Sequence, residues 1–161
     1  TNNFFFIEKF NPGHINSTKV KGSSIETERL EYLKSLQIAN VWLKKTITFI
    51  EKNDPEAIII IGADHGGYVG FEYTSQSKNK ISDRKLLNSI FGAKLAIKWN
   101  DSQHANYDSK LKTSVNLFRT VFSFLSEDKT LLHHLQSDAS YNCYDGSDCT
   151  KVYKAIDENG N

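Results

Sequence analysis

The sequence predicts an α/β fold, layered α/β/α about a mostly parallel sheet, and three stretches carry that expectation. "FFFIEKF" (residues 4–10) is an aromatic-rich run bounded by turn-forming residues. Residues 23–53 repeat their apolar side chains at three- and four-residue steps, the period of a long amphipathic helix. "AIIIIGA" (residues 57–63) is a continuous β-branched run, apolar on both alternations, as in a strand covered on both faces. Strand, long helix and covered strand together describe a βαβ unit with a right-handed crossover.

The first strand ends in "NPGHINST" (residues 11–18), where Pro12, Gly13 and the Asn/Ser/Thr cluster mark a loop. In the helix, Leu33, Leu36, Leu43, Ile47 and Ile50 form the stripe, interrupted once at Asn40. Ser23 or Ser24, followed by Glu26 or Glu28, supplies its N-terminal cap, and Asp54-Pro55 closes it. Residues 72–82 are polar and read as a loop. "RKLLNSI" (84–90) is a short helix or an irregular approach to a third strand, "FGAKLAIKW" (91–99). "NDSQHANYDSK" (100–110) is a loop. "TSVNLFRTVFSFLS" (113–126) is a second helix, with Val115, Phe118, Val121, Phe122 and Leu125 on its apolar face. "KTLLHHLQS" (129–137) is a weaker helix, and the tail from Ala139 is rich in turns. The chain therefore divides into a layered portion, 1–130, and a turn-rich portion, 131–161.

Several classes find no support in the composition. The 161 residues suffice for one domain, or a large piece of one. A net charge of +1, with both signs interspersed, offers no electrostatic footprint for nucleic acid. No apolar run approaches the roughly 18 residues of a membrane span, and no signal-peptide pattern opens the chain. The sequence has no Met and reaches an aromatic strand almost at once, which reads as a piece cut from a longer protein. Cys143 and Cys149 flank a turn-forming Asp-Gly, so a small-loop disulfide is geometrically open and would imply an oxidising compartment. Two free thiols are the alternative.

Ligands of open α/β sheets bind beyond the carboxyl ends of the parallel strands. The first strand would deliver His14 to that edge and the second would deliver Asp64 and His65. A carboxylate beside an imidazole suits a divalent metal such as zinc or manganese. Gly66 and Gly67 would let the backbone turn and approach a bound group. The plainer alternative makes Asp64 a turn cap and His65 a half-buried, hydrogen-bonded side chain. His104 reads as a solvated loop residue. His133 and His134 point about 100° apart on a helix and read as surface. No G-x-S-x-G, Walker A or C-x-x-C pattern occurs.

The ordered set resembles the C-terminal part of the sulfatase-like branch of the alkaline phosphatase superfamily, which includes arylsulfatases, phosphoethanolamine transferases and lipoteichoic acid synthases. The resemblance runs through residues 4–130. It is carried by Tyr32-Leu33 through Leu36 to Asn40, by "IIIIGADHGG", by Asn88 to Ala93, and by Val115-Asn116-Leu117-Phe118-Arg119. It implies an alkaline-phosphatase-like layered fold, present in part. It makes Asp64 and His65 ligands of one divalent ion, whether zinc, manganese or calcium, and His14 a contact to the oxygens of a phosphate- or sulfate-ester substrate, lipid-linked and glycan esters included. The implied chemistry is phospho- or sulfo-group transfer through a covalent enzyme intermediate. The family's Thr, Ser or formylglycine nucleophile and an acidic metal ligand lie upstream and have no counterpart here. The chain alone would thus be inactive, with an incomplete metal site and no catalytic nucleophile of its own.

Two further departures are Glu8, where some relatives carry His, and the lack of a histidine in "YVGFEYTSQSKNK" (68–80). Transferases of this branch are held at the periplasmic or other extracytoplasmic face of the inner membrane by upstream helices, and membrane contact would come only through those. The remaining partner would be the upstream part of the same protein. A non-catalytic α/β binding or interaction domain derived from the same fold is the competing reading.

Overall fold

The structure, a computed structural model, describes residues 3–13, 24–145 and 148–161. In order, it holds α1 (Ile25–Asn53), β1 (Ile59–Gly62), α2 (Arg84–Phe91), β2 (Leu95–Lys98), α3 (Ala105–Asp108), α4 (Leu117–Ser126), β3 (Ser140–Cys143) and β4 (Val152–Ile156). Short 3-10 turns lie at Thr74–Lys78, Ser102–His104, Ser114–Asn116 and Lys129–His134. The protein is mixed helix and strand, and its two small sheets are both antiparallel pairs. β1 runs against β2, from Ile59 opposite Lys98 to Gly62 opposite Leu95, and β3 runs against β4.

The expected mostly parallel sheet is therefore not what these strands form: no parallel pairing occurs among the described residues. Residues 4–10 adopt no strand, and Phe4, Phe5, Phe6 and Phe10 are exposed by 80% or more. The physical reason is that an apolar run states a wish to be covered but not by which neighbour. β1 meets β2 because the chain between them doubles back through α2. The amide of Ala63 donates to the Lys94 carbonyl at 2.8 Å, carrying the ladder one step past the strand.

Helix α1 begins where the cap signal lies: the Ser24 hydroxyl accepts the Thr27 amide at 3.2 Å, with Glu26 and Glu28 in the first turn. It ends as the Asp54 amide bonds the Ile50 carbonyl at 2.7 Å, one residue before Pro55. Tyr32, Leu36, Leu43, Ile47 and Ile50 share the half-buried face, whereas Leu33 is exposed.

The core gathers Trp99, Tyr107, Leu117 and Val121, with Ile60, Leu95, Ile97 and Phe124 against them. Phe124 meets Trp99 at 4.6 Å between ring centroids and Tyr107 edge-on at 5.4 Å. The buried face of α4 differs from the apolar stripe of its sequence. Leu117, Thr120, Val121 and Ser123 are buried, while Val115, Phe118, Phe122 and Leu125 are exposed. Asn116 decides the rotation. Its side chain is buried and pairs with both backbone groups of Gln136, donating to the carbonyl and accepting from the amide, each at 2.9 Å.

Cys143 and Cys149 are joined in a disulfide that closes the β3–β4 hairpin. The Asp145 carboxylate accepts the amides of Thr150 and Lys151 in the same turn. The hairpin grips the segment before α2: Asn142 donates to the Ser77 carbonyl at 2.7 Å, and the Tyr153 hydroxyl accepts the Ile81 amide at 3.0 Å. Among the described residues, no helix is long and apolar enough to cross a membrane.

Candidate functional site

The chain leaves the sheet at Asp64, just past β1. One Asp64 oxygen, Oδ1, accepts the His65 amide at 2.9 Å, and His65 Nδ1 donates to the Gly66 carbonyl at 2.7 Å. A carbonyl can only accept, so this bond puts a proton on Nδ1, and in the neutral ring the lone pair is then on Nε2. These two contacts match the plain alternative of a capped turn with a hydrogen-bonded histidine. A third contact suits either reading: His65 Nε2 lies 3.4 Å from Asp64 Oδ2, an ion-pair distance when the ring is protonated. Two donors about 2.1 Å from a tetrahedral zinc ion are separated by about 3.4 Å. The pair thus fits two positions of a divalent centre, and the Nδ1–H bond to a carbonyl is the support that orients a ligating imidazole.

Two donors do not make a whole centre. Among the described residues no cluster of three His, Cys, Asp or Glu side chains is placed to hold a metal. His14 lies outside the described residues. The shared sheet edge that was expected to bring His14 to this pair rests on a parallel pairing that the described strands do not form.

Gly66 and Gly67 serve packing more directly than ligand approach. A Cβ on Gly66 would stand 2.2 Å from the Ser89 carbonyl oxygen, and one on Gly67 would stand 2.2 Å from Cε2 of Tyr32. The Gly66 amide donates to the Ile90 carbonyl at 2.6 Å and the Tyr68 amide to the Ser89 carbonyl at 3.1 Å. The turn after Asp64-His65 is therefore wedged between the side of α1 and the end of α2. Burial pushes the Tyr32 phenol up, so its ring faces Gly67 as a neutral group at ordinary pH.

Three residues have roles that the sequence reading did not assign. Glu28 is buried, and its Oε2 accepts the Gly70 amide at 2.9 Å, tying the start of α1 to the far end of the turn. Its signal was a carboxylate on the same face as Tyr32 and Leu36. Tyr32 was read as part of the helix and of the family resemblance, not as a wall against Gly67. Tyr68 adopts a left-handed backbone, with φ 58°, and its ring meets His65 edge-to-face at 5.1 Å between centroids. No residue type in that stretch advertises a left-handed tyrosine.

Elsewhere, a shallow groove lies beside the turn, lined by Gly70, Phe71, Lys80, Ile81, Asp83 and Leu86. Neither Asp64 nor His65 lines it. His104 is more engaged than a solvated loop residue: Nδ1 bonds Asp108 at 2.8 Å and the ring lies parallel to Trp99. Asp108 also accepts the Trp99 indole N–H at 2.7 Å, which makes this group a support for the core. His133 and His134 are exposed on their 3-10 turn. No family model, curated protein or solved structure matches this chain.

Proposed function

We propose that this chain is the C-terminal portion of a metal-dependent hydrolase or transferase acting on phosphate or sulfate esters, of the sulfatase-like kind. The observation that carries the reading is the Asp64–His65 pair: two donors of the right chemistry, 3.4 Å apart, at the end of a strand. The exposed aromatic row at residues 4–10 adds support, since such a run fits a strand of a wider, parallel, layered sheet built with an upstream portion.

In this reading Asp64 supplies an anionic oxygen, and its second oxygen, held by the His65 amide, keeps the carboxylate from swinging away. His65 supplies Nε2, with the Gly66 carbonyl holding its tautomer. The divalent ion, when bound, supplies Lewis acidity and lowers the pKa of a bound hydroxyl or water. His14 would donate a hydrogen bond to a non-bridging ester oxygen. The nucleophile and the remaining metal ligands belong to the upstream portion. The disulfide fits an extracytoplasmic setting for the parent protein.

The test is metal content and turnover of the full-length protein, wild type against Asp64→Ala, with bis-p-nitrophenyl phosphate and p-nitrophenyl sulfate as substrates. Loss of a first-sphere ligand should lower metal affinity and turnover by about tenfold or more. Unchanged metal stoichiometry and unchanged turnover would sink the proposal. One observation favours a second reading, a non-catalytic interaction domain: Phe118, Phe122 and Leu125 leave one face of α4 apolar and exposed, with the two phenylalanine rings stacked at 5.6 Å and Val115 exposed in the turn before it. A full-length protein that takes up no metal and turns over neither ester supports that second reading.

A further inference from the structure

The turn that follows Asp64-His65 places Gly66, Gly67 and Tyr68 contrary to simple backbone preference. Gly66 and Gly67 have ordinary backbone angles and are glycines because Ser89 and Tyr32 leave no room for a Cβ. Two positions of the turn have a left-handed backbone: position 70, at φ 99°, carries a glycine, whereas position 68, at φ 58°, carries a tyrosine. A large side chain kept at a left-handed position indicates that its ring is needed there more than the backbone is eased.

The ring's surroundings say what it is needed for. It meets the His65 imidazole edge-to-face, 5.1 Å between centroids and 80° between planes. It also meets Phe71, which is buried, at 6.0 Å and 62°. The backbone that carries the ring is pinned. The Tyr68 amide bonds Ser89, its carbonyl accepts the Phe71 amide at 3.2 Å, and the Gly70 amide is tied to Glu28. Tyr68 is thus a rigid prop between the Phe71 side of the turn and the imidazole.

We infer that Tyr68 is a positioning residue of the Asp64–His65 pair: its left-handed backbone sets its ring against the imidazole and keeps Nε2 beside Asp64 Oδ2. The inference rests on the metal-site reading above. Tyr68 touches no metal or substrate in this role. It acts by denying the imidazole the rotation that would separate the two donors, as outer supports of metal-ligating histidines do.

The experiment titrates zinc alone, by competition with a chromophoric chelator, into full-length wild type, Tyr68→Phe, Tyr68→Gly and Tyr68→Asn, and records the visible spectrum of each after cobalt loading. Glycine and asparagine both tolerate the left-handed backbone, so each removes the ring without straining the turn. Thermal melting is recorded alongside. Tyr68→Phe keeps the ring and should match wild type in affinity and in cobalt spectrum. Tyr68→Gly and Tyr68→Asn should melt no lower than wild type, yet bind zinc about tenfold or more weakly and show an altered cobalt spectrum. Wild-type affinity and spectrum in both ring-less variants would overturn the positioning role and leave the metal site standing. A wild-type protein that binds neither ion would overturn the metal site, and the positioning role with it.

Discussion

A Cβ added at Gly66 would meet a backbone carbonyl, that of Ser89, whereas one added at Gly67 would meet the ring of Tyr32. The two substitutions should therefore behave differently. A tyrosine ring can swing, but the carbonyl at the end of α2 is held by the helix. Gly67→Ala should cost about 1–3 kcal/mol, the usual range for overpacking. Removing the obstructing ring should return part of that loss, so Tyr32→Ala and Gly67→Ala should couple favourably in a double-mutant cycle. Gly66→Ala should cost more than Gly67→Ala and show no such rescue. Urea unfolding of the four variants checks this; equal costs at the two glycines would show that the Ser89 carbonyl yields as easily as the ring.

At the scale of an element, α4 shows how one polar side chain can overrule an apolar stripe. Turning Phe118, Phe122 and Leu125 inward would turn Asn116 away from Gln136 and expose Leu117. The arrangement adopted keeps Leu117 inside and gives Asn116 two backbone bonds in a buried position. Asn116→Ala should leave the Gln136 amide and carbonyl without this partner, at a cost of about 2–4 kcal/mol. Asn116→Asp should also destabilise, because a carboxylate accepts the Gln136 amide but cannot donate to its carbonyl. Denaturant titration measures both; a loss under about 0.5 kcal/mol for the alanine variant would show that water replaces the lost bonds.

Across the whole molecule, the β3–β4 hairpin reaches back to the segment that leads into α2. Its disulfide should therefore influence residues some sixty positions away in sequence. In the chain-entropy view, so short a loop contributes about 2 kcal/mol. The double variant Cys143→Ser/Cys149→Ser should lose roughly that much stability. It should also speed hydrogen exchange at the Ile81 amide, which the Tyr153 hydroxyl holds at 3.0 Å. Unchanged protection at Ile81 would show that the hairpin stays docked without its cross-link.

Much of this architecture is local and was legible in the chain. The α1 boundaries follow from a serine cap and an Asp-Pro stop, both set by backbone groups within a few residues. The isoleucine run makes a strand because β-branched side chains suit a pleated backbone, and Cys143 and Cys149 are close enough in sequence to meet across one hairpin. The Asp64–His65 pair was visible for the same reason: adjacent residues at a strand end are together wherever the strand goes. What the sequence could not decide depends on distant partners. Whether β1 pairs with residues 4–10 or with β2 turns on how the intervening chain folds back, and apolar content is the same in either case. The buried face of α4 turns on a contact between Asn116 and Gln136, and the two glycines on Tyr32 and Ser89. The left-handed tyrosine beside His65 is decided by amides and carbonyls from three separate stretches. Local rules name the residues that can form a site, and long-range packing determines which of them are held in place.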